Sequence, residues 1–511
     1  MNSVTKKRSY IKVARFVGTP IGRKFDMEFS YKTFEDEFVS SMAELEQAFR
    51  AKDHLKTISY LRFLAKSYYV LNCKFKDDRL EEITREISLD LLGETKIANN
   101  KDETVAFYDG FGLAERGLAD IYVSALVKLG YRVTWIMHFN APNLETLQKR
   151  YMSNENVFFR IIPKSPILER MQHLQRIIQE IAPHHLFFYS SPWDICGIGS
   201  ISTVTGDVTR YLIDLTDHAF WLGKCSADYF IGFRNWSYNV EKQLRGISSE
   251  QLIILPYYPY SRTQYPYEGM PFDTEKYEFI FSGGGPYKIE GDSSYQEMVE
   301  YILTNHPEIK FVFAGNGTNP ILKYLKETYP DQFFKINERK DLDEVLKHAK
   351  LYLGTYPIGG ALMTQYAIEN KCIPLCLALN PNSIGGDPKT FLLKPDKAHF
   401  VFYKKEELLS EVDKLLIDNE HYNKMHANLS GQVISEKEFT EELQRVLTEH
   451  QTKFKKQDMP VNLDRFLAVY KQRADYKIFC ELIRDSHNDW IKRKYLEIIE
   501  KMEAKNWDGT M

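Results

Sequence analysis

Short apolar runs that end in glycine constrain this chain more than any other feature. Phe279-Ile280-Phe281 runs into Ser282-Gly283-Gly284-Gly285, and Phe311-Val312-Phe313 into Ala314-Gly315-Asn316-Gly317. Leu351-Tyr352-Leu353 stops at Gly354, with Gly359-Gly360 just beyond. Each run has the length of a buried strand, and amphipathic stretches at 296–304 and 342–349 predict helices between them. Strand, glycine loop, helix and strand in that order predict parallel βαβ units. Their strand ends form a ligand crevice at the carboxyl edge of the sheet.

An earlier block repeats the pattern. A strand is expected over 104–108, a loop at Asp109-Gly110-Phe111-Gly112, a helix over 119–129 closed by Gly130, and a strand over 132–137. Strands at 156–162 and 186–189 flank a helix at 167–181, and 200–212 with 228–233 complete the block. Residues 1–37 read as one or two strands with a turn, and 40–92 as two or three accessory helices. Between the blocks, Pro256, Pro259, Pro266 and Pro271 exclude a helix interior and disfavour a central strand. This stretch reads as a stiff linker whose tyrosines pack on one or both domains. Helices follow at 405–417 and 421–433, then charged helices with a break at Asp458-Met459-Pro460; those at 463–479 and 490–502 are long enough to cross back. The expected division is 1–101 accessory, 102–255 first Rossmann-like domain, 256–275 linker, 276–440 second Rossmann-like domain, and 441–511 helical tail.

At 511 residues the chain exceeds one comfortable core, which fits this division. A formal net charge of −3 gives no reason to expect a nucleic-acid partner. The six cysteines are scattered, and a lone Cys372-x3-Cys376 spacing reads as core thiols rather than a metal site. Lys6, Lys7 and Arg8 precede no apolar signal region, and no apolar run reaches 18 residues; the expectation is a cytoplasmic protein.

Two Rossmann-like halves, a joining linker and a helical tail resemble the GT-B class of nucleotide-sugar glycosyltransferases, over most of residues 102–450. Asp109-Gly110-Phe111-Gly112-Leu113-Ala114-Glu115-Arg116-Gly117 looks like the class's first glycine loop. Ser282-Gly283-Gly284-Gly285 with Lys288 looks like the corresponding loop of the nucleotide domain, and Gly315-Asn316-Gly317 like the next strand end. Thr355-Tyr356-Pro357-Ile358-Gly359-Gly360 with Pro374 resembles the diphosphate-binding loop, its helix and the next strand. The resemblance implies an α/β fold of two Rossmann-like domains facing across a cleft, with the donor in the second. It implies a nucleoside-diphosphate sugar, uridine-linked, as donor substrate, no metal, and a protein, glycan or lipid-linked acceptor. Many relatives hold the ribose with an acidic residue seven positions before the proline; here that position is Ala367, flanked by Gln365 and Glu369. A paired Glu-x7-Glu of retaining relatives is also missing, which favours an inverting or atypical enzyme.

A leaving nucleoside diphosphate needs a helix N-terminus and cations to stabilise its charge. Gly359 and Gly360 allow close approach of backbone N–H groups, with a helix expected from about Ala361. Gly284, Gly285, Gly315 and Asn316 line the neighbouring strand ends; Lys288 and Arg339 are the cationic candidates, and Glu369 the acidic one. Each lysine or glycine has an ordinary surface or turn role as its alternative. The base for an acceptor hydroxyl is expected in the first half. His218, with Asp217 or Asp214 to orient it, is one candidate, and a structural histidine is the equal alternative. Asp109 is a second candidate base, or else a turn residue. Glu115 is a candidate acceptor contact. Asp341-x-Asp343 reads as a helix start rather than a metal pair. The basic residues of the tail suit a solvated face, with a peripheral membrane contact as the alternative. A sugar-nucleotide epimerase shares the architecture, and a degenerate subunit of an active glycosyltransferase is the non-enzymatic alternative; homo-oligomer formation stays open.

Overall fold

The computed structural model describes residues 11–12, 28–29, 31–71, 74–98, 101–111, 117–142, 144–260, 265–379 and 387–461. Glu115 and the expected helices at 463–479 and 490–502 lie outside the described residues. Two short antiparallel strands, β1 (Ile11–Lys12) and β2 (Glu28–Phe29), precede three helices, Tyr31–Arg50, His54–Leu71 and Asp78–Leu92. The first helix starts at Tyr31, inside the stretch expected to be strand. A short parallel pair, β3 (Thr95–Ile97) with β8 (Val204–Gly206), borders the first domain.

The first domain's strands are β4 (Lys101–Asp109), β5 (Arg132–His138), β6 (Val157–Ile162), β7 (Pro183–Tyr189), β9 (Thr209–Ile213), β10 (Tyr229–Gly232) and β11 (Leu252–Ile254). They form one parallel sheet in the order β11-β10-β9-β7-β4-β5-β6. The second domain's strands are β12 (Phe279–Gly283), β13 (Lys310–Ala314), β14 (Phe333–Ile336), β15 (Leu351–Leu353), β16 (Ile373–Leu377) and β17 (Val401–Phe402), ordered β14-β13-β12-β15-β16-β17, also parallel. Counted within each domain, both orders contain 3-2-1-4-5-6, the doubly wound order, whose direction reverses between the first and fourth strands. The switch points are β4/β7 and β12/β15. This is the GT-B arrangement of two Rossmann-like domains.

Period-two alternation explains why both faces of each sheet are covered. Val105 and Phe107 of β4 enter one core with helix Leu118–Lys128, while Ala106 and Tyr108 enter another with helix Ile167–Ile181. In the second sheet Ile280 faces one core, and Phe279 and Phe281 the other. The accessory helices add a further core, in which Leu61, Leu64 and Ile83 pack on Ile195, Ile198 and Phe220 of the first domain.

Among its described residues the linker has no helix or strand. Its Tyr258 packs against the cores of both domains, Tyr257 and Tyr260 against the first, and Tyr267 against the second. Helix Glu436–Glu449 crosses back, placing Phe439, Leu443 and Val446 in the first domain's core. The expected boundary at 440 therefore falls inside a helix that packs on the first domain.

Candidate functional site

The second domain's switch point gathers most of the expected donor residues. Gly284 follows β12 with φ +147°, a conformation L side chains rarely adopt. A Cβ there would lie 3.5 Å from Lys288 Cδ and 3.9 Å from Thr355 Cγ2, so the glycine loop, the lysine stem and the β15 loop converge. Gly315 passes directly beneath, where a Cβ would come within 2.1 Å of the Gly284 carbonyl oxygen. Gly285 opens a 3-10 turn, Pro286–Ile289, which carries Lys288, and helix Ser294–Asn305 follows. The Ile358 amide donates to the Lys288 carbonyl at 3.2 Å, and Thr355 Oγ1 to the Ile358 carbonyl at 2.7 Å, which ties the two loops together.

Helix Ala361–Glu369 begins after Gly360, with no side chain capping its N-terminus. Its first-turn N–H groups have no intrahelical acceptor and carry the positive end of the helix dipole. Gly359 is exposed, and a Cβ on it would meet nothing within 4 Å. Gly284, Gly285, Lys288, Gly315, Gly359 and Gly360 thus belong to one crevice edge.

Three expected donor residues stand elsewhere or are otherwise engaged. Arg339 donates to both carboxylate oxygens of Asp341, at 2.7 and 2.5 Å, and to the Gly269 carbonyl at 2.8 Å. Asp341 is wholly buried and also accepts from the Glu268 amide at 2.8 Å, so this pair fastens the linker to the second domain. Asn316 and Glu338 bond each other through side chain and backbone, at 3.1 and 3.3 Å, and join the β13 and β14 loops. Glu369 is exposed on the last turn of its helix, ~12 Å along the axis from Ala361. It stands at the opposite end of the helix from the uncapped amides. Gln365 is the better placed of the pair. It is buried at the domain seam, donating to the carbonyls of Phe391 at 3.3 Å and Tyr257 at 3.5 Å, and its Oε1 has no partner among the described residues.

In the first domain, Asp109 ends β4, is buried, and pairs in register with Tyr189 of β7 at the switch point. Asp217 is engaged more closely by Arg234 than by His218. Its carboxylate receives Arg234 Nε and Nη2 at 2.6 and 2.8 Å and the Ser237 hydroxyl at 2.8 Å, whereas His218 Nδ1 is 4.0 Å away. Despite burial, the Arg234 guanidinium holds the Asp217 carboxyl below the usual range. Asp214 Oδ1 accepts the Thr216 amide in a local turn. His218 keeps 29% side-chain exposure and meets Tyr69 of the accessory helix edge-on at 6.2 Å. Burial lowers its imidazole pKa, opposed by Asp217, so the ring is neutral near pH 7 and retains the protonation state of a base.

The seam between the domains is built at the carboxyl edges. Arg234, just past β10, donates to Thr390 Oγ1 at 2.7 Å and lies 3.9 Å from the Phe391 ring centroid. Leu362, in the first turn of the candidate donor helix, packs against the first domain's core. Tyr366 of the same helix donates to the Tyr260 carbonyl at 2.6 Å, and Tyr260 covers Gly117 at the start of helix Leu118–Lys128.

Sequence reasoning missed a further cluster at the first switch point: Tyr108, His138 and Asp194. Asp194 caps helix Ile195–Ser202 through the Gly197 amide. An Asp before an apolar Ile-Cys-Gly-Ile-Gly run was the available signal. Among the described residues, no group of three or more His, Cys, Asp or Glu is arranged to hold a metal ion, and no helix is long and apolar enough to cross a membrane.

No protein-family description matches the chain, and no curated protein matches it in sequence. Solved structures are similar in shape. A mutant of the Thermobaculum terrenum O-GlcNAc transferase is 13% identical, with 84% of this chain and 83% of that one covered and a TM-score of 0.48. A glycosyltransferase from Rickettsia africae is 11% identical, covering 69% of this chain and 99% of that one, at 0.48. The UDP-GlcNAc 2-epimerase of Neisseria meningitidis is 10% identical, covering 68% and 100%, at 0.46. At such identities no residue role transfers, and the functional reading rests on the site itself.

Proposed function

We infer that the chain is an enzyme acting on a nucleoside-diphosphate sugar, with the diphosphate at the carboxyl edge of the second sheet. The observation that carries this reading is the uncapped N-terminus of helix Ala361–Glu369, beside the Gly284 loop and Lys288 at the β12/β15 switch point. A reaction in which a nucleoside diphosphate departs gains most from such a site, because negative charge develops where the amides and the lysine converge. Gln365 Oε1 serves as acceptor for a ribose hydroxyl in place of the acidic residue absent at Ala367. Transfer of a hexose or N-acetylhexosamine to an acceptor held by the first domain is one outcome for the sugar. Rearrangement of the nucleotide sugar alone, as in an epimerase, is the other.

The test incubates the protein, in EDTA, with UDP- and GDP-sugars alone and with sugar or peptide acceptors. Proton NMR distinguishes an epimerised donor from a glycosylated acceptor. Gly360→Trp, whose side chain fills the phosphate approach, is expected to weaken UDP binding in calorimetry by at least ~100-fold, and activity with it. Unchanged UDP affinity in that variant contradicts the site.

A further inference from the structure

The carboxyl edge of the first sheet holds polar chemistry that the donor site does not use. Tyr108 is wholly buried; its hydroxyl donates to Asp194 Oδ2 at 2.7 Å and lies 2.9 Å from His138 Nε2. A hydroxyl has one proton. With that proton on the Asp194 carboxylate side, His138 must donate through Nε2–H, and the bare lone pair is left on Nδ1. That atom is buried and has no hydrogen-bond partner among the described residues. Burial lowers the His138 pKa against the opposing pull of Asp194, and Arg170 and Arg62 lower it further, so the ring is neutral near pH 7.

Neighbouring atoms on the same edge are also unmatched. Arg170 Nε, Ser165 Oγ and Ser190 Oγ, on segments that follow β6 and β7, are buried without partners among the described residues. Buried polar atoms are paired in the great majority of cases, so this grouping is complementary to a hydroxyl-rich ligand. Two glycines make room for the Tyr108–Asp194 pair itself. A Cβ on Gly110 would lie 2.2 Å from Asp194 Oδ2, and one on Gly197 2.1 Å from Tyr108 Cε1.

The geometry points to His138 as the general base of the first domain, with Tyr108 and Asp194 as positioning residues that fix its tautomer. This rests on the nucleotide-sugar reading above, with transfer as the reaction. Nδ1 takes the proton of an attacking hydroxyl, from a sugar acceptor or from water, and that oxygen bonds to the anomeric carbon. The bond from this carbon to the diphosphate breaks, and its electron pair leaves with the nucleoside diphosphate.

The test follows nucleoside diphosphate release from UDP- and GDP-sugars by the full-length protein and its variants, with donor binding measured by calorimetry. His138→Gln is expected to lose at least ~100-fold in release while its donor affinity stays within about twofold. Asp194→Asn can still accept the Gly197 amide but turns its NH2 toward Tyr108, so it removes both the acceptor that fixes the His138 tautomer and the charge that raises the His138 pKa; release falls, and the acid limb of what remains moves to lower pH. Release by His138→Gln within about threefold of wild type overturns the inference alone, as does an acid limb unmoved in Asp194→Asn. Wild-type protein that binds a donor but releases nothing overturns the base while leaving the donor site standing. Wild-type protein that neither binds nor cleaves any donor overturns both.

Discussion

His185 shows how one buried titratable group sets the acid stability of this fold. It lies on β7 with 3% exposure, its Nδ1 unpartnered among the described residues, beside the rings of Tyr131, His184 and Tyr211. Burial, with His184 and His450 adding to it, pushes the imidazole down to about 3. The unfolded chain protonates this group near 6.5, so below that pH the unfolded state binds a proton that the folded state refuses. The depressed pKa therefore leaves stability intact above about pH 6.5 and erodes it as pH falls toward 3, by about 1.4 kcal/mol per pH unit. His185→Phe keeps the ring packing and removes the titration. Between pH 7 and 5 its urea-unfolding free energy should fall by about 2 kcal/mol less than that of wild type. An identical pH dependence contradicts the assignment. At this scale the glycines were legible in the sequence, because Gly284 and Gly315 follow directly from strands that must pass close to one another. The engagements of Asp217 with Arg234, and of Arg339 with Asp341, were not. Asp217 and Arg234 are brought together only by the fold, and although Arg339 is two residues from Asp341, nothing local marked the carboxylate as buried.

Elements with strong periodicity could be read to the residue. Helices Ile167–Ile181 and Lys405–Ile417 have the bounds their patterns predict. Helix Ile195–Ser202 escaped because all its residues are buried, which erases the apolar-polar alternation that marks a helix face. Strand β11 escaped because a run of three residues carries little pattern. Helix Glu436–Glu449 was misassigned to the boundary of the second domain, since sequence shows an amphipathic face but not which core receives it. Its Phe439 is wholly buried and meets Tyr122 edge-on at 5.1 Å. Phe439→Ala should destabilise the protein by about 3–5 kcal/mol. A loss under about 1 kcal/mol in equilibrium unfolding would mean that this helix does not contribute to the first domain's core.

For the whole molecule, the duplicated 3-2-1-4-5-6 strand order places two switch points on facing domain edges, and the seam runs through Arg234, Phe391 and the Tyr257–Tyr260 linker. The two-domain plan was legible because each half repeats strand, glycine loop and helix. Which polar groups meet at the first switch point was not, because Tyr108, His138 and Asp194 come from separate strand ends joined only by the sheet. The central claim is that the second switch point holds the nucleoside diphosphate. Amide hydrogen exchange with and without saturating UDP, and in parallel GDP, tests it most directly. The account predicts slowed exchange concentrated at Gly284–Lys288 and across Ile358–Met363, with helix Ser294–Asn305 unchanged. No protection by either nucleotide, or protection confined to the first domain, contradicts it.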